Sequence, residues 1–121
     1  MKREIQKTIL IATLILCGWA NVANAQSIAG GVQHSIFLCS DATVRTCGNN
    51  WGGQLGDGTN VEKNTPVQVS SLSGMIAIGG GAYYHSLAVK SDGSAWAWGY
   101  GYYGQLGNAA NNDSNVPVLV S

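Results

Sequence analysis

Histidine, serine and aspartate recur in this chain in a fixed order, and these are side chains from which hydrolytic and metal sites are built. His34-Ser35 and His85-Ser86 stand 51 positions apart, and Asp41 and Asp92 follow them at the same separation. An imidazole could ligate a metal or carry a proton, a neighbouring hydroxyl could attack a substrate, and two carboxylates could share acid–base work. The spacing argues against all three. Adjacent residues of a strand point to opposite faces, so His34 and Ser35 are not a working pair, nor are His85 and Ser86. Asp41 and Asp92 lie in Ser-Asp-Ala and Ser-Asp-Gly, where Asp serves the backbone of a turn. No third ligand or nucleophile repeats beside the histidines. The expectation is a repeated structural hydrogen bond from imidazole to the backbone of a neighbouring turn, with no catalytic residue, no metal and no cofactor.

Cys39 and Cys47 flank the first of these turns. With a two-residue turn their thiols fall on opposite faces of the hairpin. With a three-residue turn they share a face but stand about four residues apart along the ladder, roughly 13 Å at ~3.3 Å per residue, beyond the ~7 Å Cα separation that a bridge tolerates. Free, buried thiols are expected, or bonds to further blades.

The elements that position these residues are strands. Seventeen glycines, two prolines and 10% charged residues in 121, where ~25% charged is usual, favour strands joined by tight turns over a helical bundle. Ser86–Val89 and Ser94–Trp98 are alternating apolar runs on either side of Ser91-Asp92-Gly93, and Asp-Gly supplies the positive φ of a tight hairpin. The same pattern runs through the whole chain: with 28–70 laid on 79–121, 16 of 43 positions are identical. Gly48 answers Gly99, Gln54-Leu55-Gly56 answers Gln105-Leu106-Gly107, and Pro66 answers Pro117. Each copy holds four extended pieces: Ile28–Gly30 or Met75–Ile78, His34–Leu38 or His85–Val89, Val44–Gly48 or Ala95–Gly99, and Pro66–Val69 or Pro117–Val120, the prolines opening their strands. Four short antiparallel strands per ~50-residue repeat describe a propeller blade. The fold class is all-β, two four-stranded blades, with repeats over 26–75 and 76–121.

The Gly-Gly, Tyr83 and Trp96 of the second copy partly imitate a kelch repeat, which leaves His-Ser and Gly-Gln-Leu-Gly unexplained. Those motifs, with Ser-Asp-Gly at 91–93, Trp98-Gly99 and the Pro-Val-x-Val endings, closely resemble the regulator of chromosome condensation repeat over 28–121. The first copy departs in Ala42 for the turn glycine, implying a looser turn, and in Cys47 for the strand tryptophan. The resemblance implies a seven-bladed propeller, of which two blades are an incomplete ring. They would be a fragment of a longer repeat protein, a unit completed by further blades or self-association, or an autonomous pair. It also implies an alternative function, nucleotide exchange on a small GTPase, the activity of the family's eukaryotic founder. The repeat framework is His34, His85, Asp41, Asp92, Gly48, Gly99, Gln54 and Gln105.

Before the repeats, Lys2, Arg3 and Lys7, an apolar run from Ile9 to Leu16, and Ala23-Asn24-Ala25 read as a secretory signal peptide over 1–25. The run is shorter than the ~20 residues of a membrane span. The expected location is therefore secreted or periplasmic, with no membrane attachment after cleavage. Beyond residue 25, Arg45, Lys63 and Lys90 face Asp41, Asp57, Glu62, Asp92 and Asp113. Three scattered cations cannot supply the counterion release on which nucleic-acid binding draws.

The loop aromatics are Trp51, Tyr100, Tyr102 and Tyr103, and the three tyrosines vary between copies. Gly-spaced aromatics on a propeller face could stack on a sugar or clasp a peptide, and their other available role is packing over the hub. The expected function is a non-enzymatic scaffold that binds protein or glycan.

Overall fold

The computed structural model describes residues 24–121, so the expected leader lies outside the described residues up to position 23. Eight strands form two sheets. β1 (Ala25–Gly30), β2 (His34–Cys39), β3 (Val44–Gly48) and β4 (Lys63–Gln68) make the first, and β5 (Met75–Gly81), β6 (His85–Lys90), β7 (Ala95–Gly99) and β8 (Ser114–Leu119) the second. Both are antiparallel meanders in chain order. The fold is all-β, two four-stranded blades.

The second and third strands of each blade lie where the sequence places them, and the fourth strands do not begin at proline. β4 starts three residues before Pro66 and β8 three before Pro117. Proline is tolerated there because both are outer strands whose ladders shift register, Thr46 pairing with Val67 while Gly48 pairs with Lys63, and Ala97 with Val118 while Gly99 pairs with Ser114. The missing N–H falls in the shifted stretch.

The β2–β3 and β6–β7 turns have three residues each. In the second, Lys90 N donates to Ser94 O and Gly93 N to Lys90 O, both at 2.9 Å; in the first, Cys39 N donates to Thr43 O and Ala42 N to Cys39 O, also at 2.9 Å. The expected looseness at Ala42 is corrected: Ala42 takes the glycine's left-handed backbone (φ 63° against 88° at Gly93) and keeps its bonds. This register puts Cys47 opposite Ser35, far along the ladder from Cys39. Cys47 is a free thiol, pushed up in pKa by burial. Cys39 is fully buried and disulfide-bonded, which corrects the expectation of a free thiol there.

Alternation along β2 buries both of its faces. Phe37 and Cys39 pack with Ala25 and Cys47 on one side. On the other, Ile36, Leu38 and Val44 meet Ala88 and Trp98 of the second blade, with Val69, Leu72 and Met75 closing the cluster. This shared core joins the blades, and β5 runs against β1 and β2. The approach is closest where Gly80 passes Gly30: a Cβ on Gly80 would run into the Gly30 carbonyl.

Candidate functional site

Two constructions occupy the end of the blades where β1 joins β2 and β3 joins β4. One is a buried polar lock between the blades and the other an exposed band of aromatic rings above it.

The lock begins at His34, the first residue of β2, which is 5% exposed. Its Nε2 lies 2.8 Å from Ser86 Oγ on β6 of the other blade. Ser86 donates its own proton to the Gln54 carbonyl at 2.9 Å, so His34 Nε2–H is the donor to Ser86. Trp98 Nε1 donates to the same carbonyl at 3.0 Å. The imidazole thus bonds a hydroxyl of the next blade and reaches a turn carbonyl only through it. His34 Nδ1 is buried without a partner. Burial first, and the facing His85 second, lower the pKa of His34 to about 4, so the ring is neutral near pH 7. A neutral ring donating through Nε2 leaves no base aimed at the Ser86 hydroxyl. His34 and Ser86 are therefore a hydrogen-bonded joint and lack the geometry of a nucleophile–base pair.

The loops are tied by their own polar residues. Gln54 Nε2 donates to Asn49 Oδ1 at 2.8 Å while its Oε1 accepts from Gly52 N at 3.0 Å; Gln105 Oε1 accepts from Tyr103 N in the equivalent place at 2.9 Å. Asn50, fully buried, donates to the Thr59 and Val61 carbonyls at 2.9 and 3.0 Å and accepts from Leu55 N at 2.9 Å. Sequence reasoning passes over Asn50 because Gly101 replaces it in the second copy. Asp41 Oδ1 accepts from Thr43 N and Oγ1 at 3.1 and 2.6 Å, and Asp92 Oδ1 from Ser94 N and Oγ at 2.9 and 2.6 Å. The side-chain bonds to Thr43 and Ser94 are the main cause of their lowered carboxyl pKa values. Gly48 and Gly99 hold left-handed φ of 116° and 103° at the ends of β3 and β7. Among the described residues no group of three or more His, Cys, Asp or Glu side chains could hold a metal ion.

The aromatic band unites all four of the loop residues singled out by the sequence. Trp51 meets Tyr100 at 5.4 Å between ring centroids, Tyr100 meets Tyr102 and Tyr103 at 6.4 and 6.1 Å, and Tyr102 and Tyr103 stand edge to face at 5.2 Å. Two rings beyond those four extend it: Tyr84 at 5.1 Å from Trp51, and Tyr83 at 6.2 Å from Tyr103. Their signal is the Tyr-Tyr pair just before His85, in the loop entering β6. Trp51 comes from the first blade and the five tyrosines from the second, so the band crosses the joint. Trp51, Tyr83, Tyr102 and Tyr103 are 50–71% exposed, and Tyr83, Tyr103 and Gln105 line a cleft of about 270 Å³.

Two family profiles match the chain. The profile described as "Regulator of chromosome condensation (RCC1) repeat" matches residues 41–89 and 92–121, and a second profile of the same description matches 76–105. The ultraviolet-B receptor UVR8 of Arabidopsis thaliana is 36% identical over 100 residues, 79% of this chain and 22% of that protein. The mitochondrial RCC1 domain-containing protein RUG3 of the same plant is 41% identical over 98 residues, 78% of this chain and 21% of that protein. The structure of human WBSCR16 superposes with a TM-score of 0.75 at 26% identity, covering 84% of this chain and 26% of that one. Yeast RCC1 (Prp20), solved bound to Kap60, gives a TM-score of 0.74 at 24% identity, covering 86% and 26%. The chain thus spans about a fifth of the plant relatives and about a quarter of the solved chains.

Proposed function

Because the chain belongs to the regulator of chromosome condensation repeat family and carries two blades of its β-propeller, we propose that it is an exported, non-enzymatic scaffold whose aromatic end binds a protein. The observation that carries this reading is the band from Tyr84 through Trp51 and Tyr100 to Tyr83. Large exposed rings concentrated at one place are a mark of binding surfaces. They stand on loops tied from below by Gln54, Asn50 and Gln105, so little ordering is left to the moment of binding. The non-enzymatic part is supported by the Ser86 hydroxyl, whose proton is committed to the Gln54 carbonyl. A protein partner fits a structure of similar fold, Prp20p from Saccharomyces cerevisiae, which binds Gsp1p and histones. Nucleotide exchange on a GTPase is the second reading, suggested by the family alone, and acceleration of nucleotide release from a GTPase panel would establish it.

The test is retention of extracytoplasmic proteins on the immobilised chain. Trp51→Ala and Tyr102→Ala are expected to lower the retained amount of a reproducible partner at least tenfold with the fold intact by circular dichroism. Unchanged retention overturns the role of this end. For export, the product outside the cytoplasm should have the mass of a chain cut after Ala25; a full-length product confined to the cytoplasm overturns it.

A further inference from the structure

We propose that the cleft between Tyr83, Tyr103 and Gln105 is an arginine subsite, which takes the guanidinium of an arginine displayed by the protein partner. This rests on the reading of the aromatic end as a protein-binding surface and names the chemistry that the surface selects.

Ring geometry favours a cation over a sugar. Tyr103 is the hub of three contacts, and its neighbours stand steeply to it: Tyr83 at 67°, Tyr100 at 73° and Tyr102 at 88°. A sugar ring stacks on a flat platform, whereas the two rings that line the cleft, Tyr83 and Tyr103, meet at 67° and form a corner in which a planar cation can lie against a π-face, the negative end of the ring quadrupole. The cleft of about 270 Å³ falls below the ~300–1,000 Å³ of sites for drug-sized ligands and suits one side-chain headgroup.

The surrounding charge has the complementary sign. The Tyr100 hydroxyl pKa is raised first by partial removal from water and then by the neighbouring Tyr103, the Asp113 carboxylate and Tyr102, and of these neighbours Asp113 is the one charged at pH 7. Asp113 is fixed by accepting from Gly101 N at 2.9 Å. Arg45, Lys63 and Lys90 are the lysines and arginine of the described chain, and none of them lies on the β5–β6 or β7–β8 loops that supply the cleft. Among organic cations, guanidinium is planar and weakly hydrated, so it stacks on a ring face at lower desolvation cost than an ammonium. Gln105 adds direction: its Oε1 accepts from Tyr103 N and keeps a second lone pair for an N–H of the fork.

The experiment titrates the full chain with blocked arginine (N-acetyl-arginine amide), blocked citrulline and blocked lysine, following tyrosine resonances by NMR. Citrulline has the shape of arginine without its charge. Saturable shifts of Tyr83 and Tyr103 are expected with arginine, at least fivefold tighter than with citrulline, and tighter with arginine than with lysine. Tyr103→Leu should lose binding at least fivefold and Tyr103→Phe, which keeps the π-face, less than twofold. Tyr83→Leu gives an independent loss if Tyr103→Leu misfolds. Equal affinity for citrulline, binding abolished by Tyr103→Phe, saturation by a neutral oligosaccharide in place of arginine, or no saturable shift up to 100 mM overturns the subsite. If the subsite fails while Trp51→Ala and Tyr102→Ala still abolish protein retention, the scaffold reading stands and this inference alone falls.

Discussion

At the scale of single residues, His34 sets the acid limit of the joint between the blades. Its ring is neutral in the fold with a pKa of about 4, against 6.5 when unhindered, so the unfolded chain binds the proton more readily. Stability from this group is complete above about pH 6.5 and drains away as pH falls toward 4, by about 1–3 kcal/mol once solvent screening is allowed for. Urea midpoints measured between pH 7 and 4 should fall over that window in the native chain and stay nearly level in His34→Gln, which keeps an N–H donor and cannot titrate. Any loss from Asp41 and Asp92 belongs to lower pH, because their carboxyl pKa values lie below the ordinary 3.8. Ser86→Ala should cost about 1–3 kcal/mol at pH 7, since it strands the buried Nε2–H of His34 and removes a donor to the Gln54 carbonyl. That His34, Ser86 and Gln54 matter is legible in the sequence, where each belongs to a recurring motif. That they meet is not, because the recurrence aligns His34 with His85 whereas the bond crosses from His34 to Ser86.

At the scale of elements, the two hairpin turns are a natural experiment in one molecule. Equal bonds are made by a glycine at Gly93 and by an alanine at Ala42, which must hold a left-handed φ of 63° against its Cβ. Ala42→Gly should therefore stabilise the fold by about 0.5–1 kcal/mol, read as a rise in thermal midpoint; Gly93→Ala should do the reverse. Gly56 is the harsher case. It has φ of 67°, and a Cβ there would lie 2.7 Å from the Trp98 ring and 2.9 Å from Val69, inside the core. Gly56→Ala should cost more than about 2 kcal/mol and quench the blue-shifted emission of buried Trp98. The number and order of strands are legible because turn residues and alternation agree in both copies. The starts of β4 and β8 are not, because register shifts beside Gly48 and Gly99 let strand pairing begin before the prolines.

At the scale of the whole molecule, the joint and the aromatic band are one device in two layers. Trp51 leans from the first blade onto Tyr84 and Tyr100 of the second directly over loops that Gln54 ties, so opening the joint should break the band. Gly80→Ala, which forces the inner strands apart at Gly30, is expected to broaden the Trp51, Tyr84 and Tyr100 resonances together although it touches none of them; broadening confined to β5 would show the layers to be independent. The sequence marks four of the band's rings as loop aromatics, but their contact depends on how two repeats stack, and no single repeat encodes that. The joint also has a direction. The histidine of one blade reaches forward to the serine of the next, and the face it reaches is shaped by Ala88 and Trp98 where the first copy has Phe37 and Cys47. The repeats therefore read like words in a sentence with fixed syntax: a chain rebuilt with the second repeat ahead of the first would contain every motif and still lack the fit, because Phe37 would arrive in the space cut for Ala88.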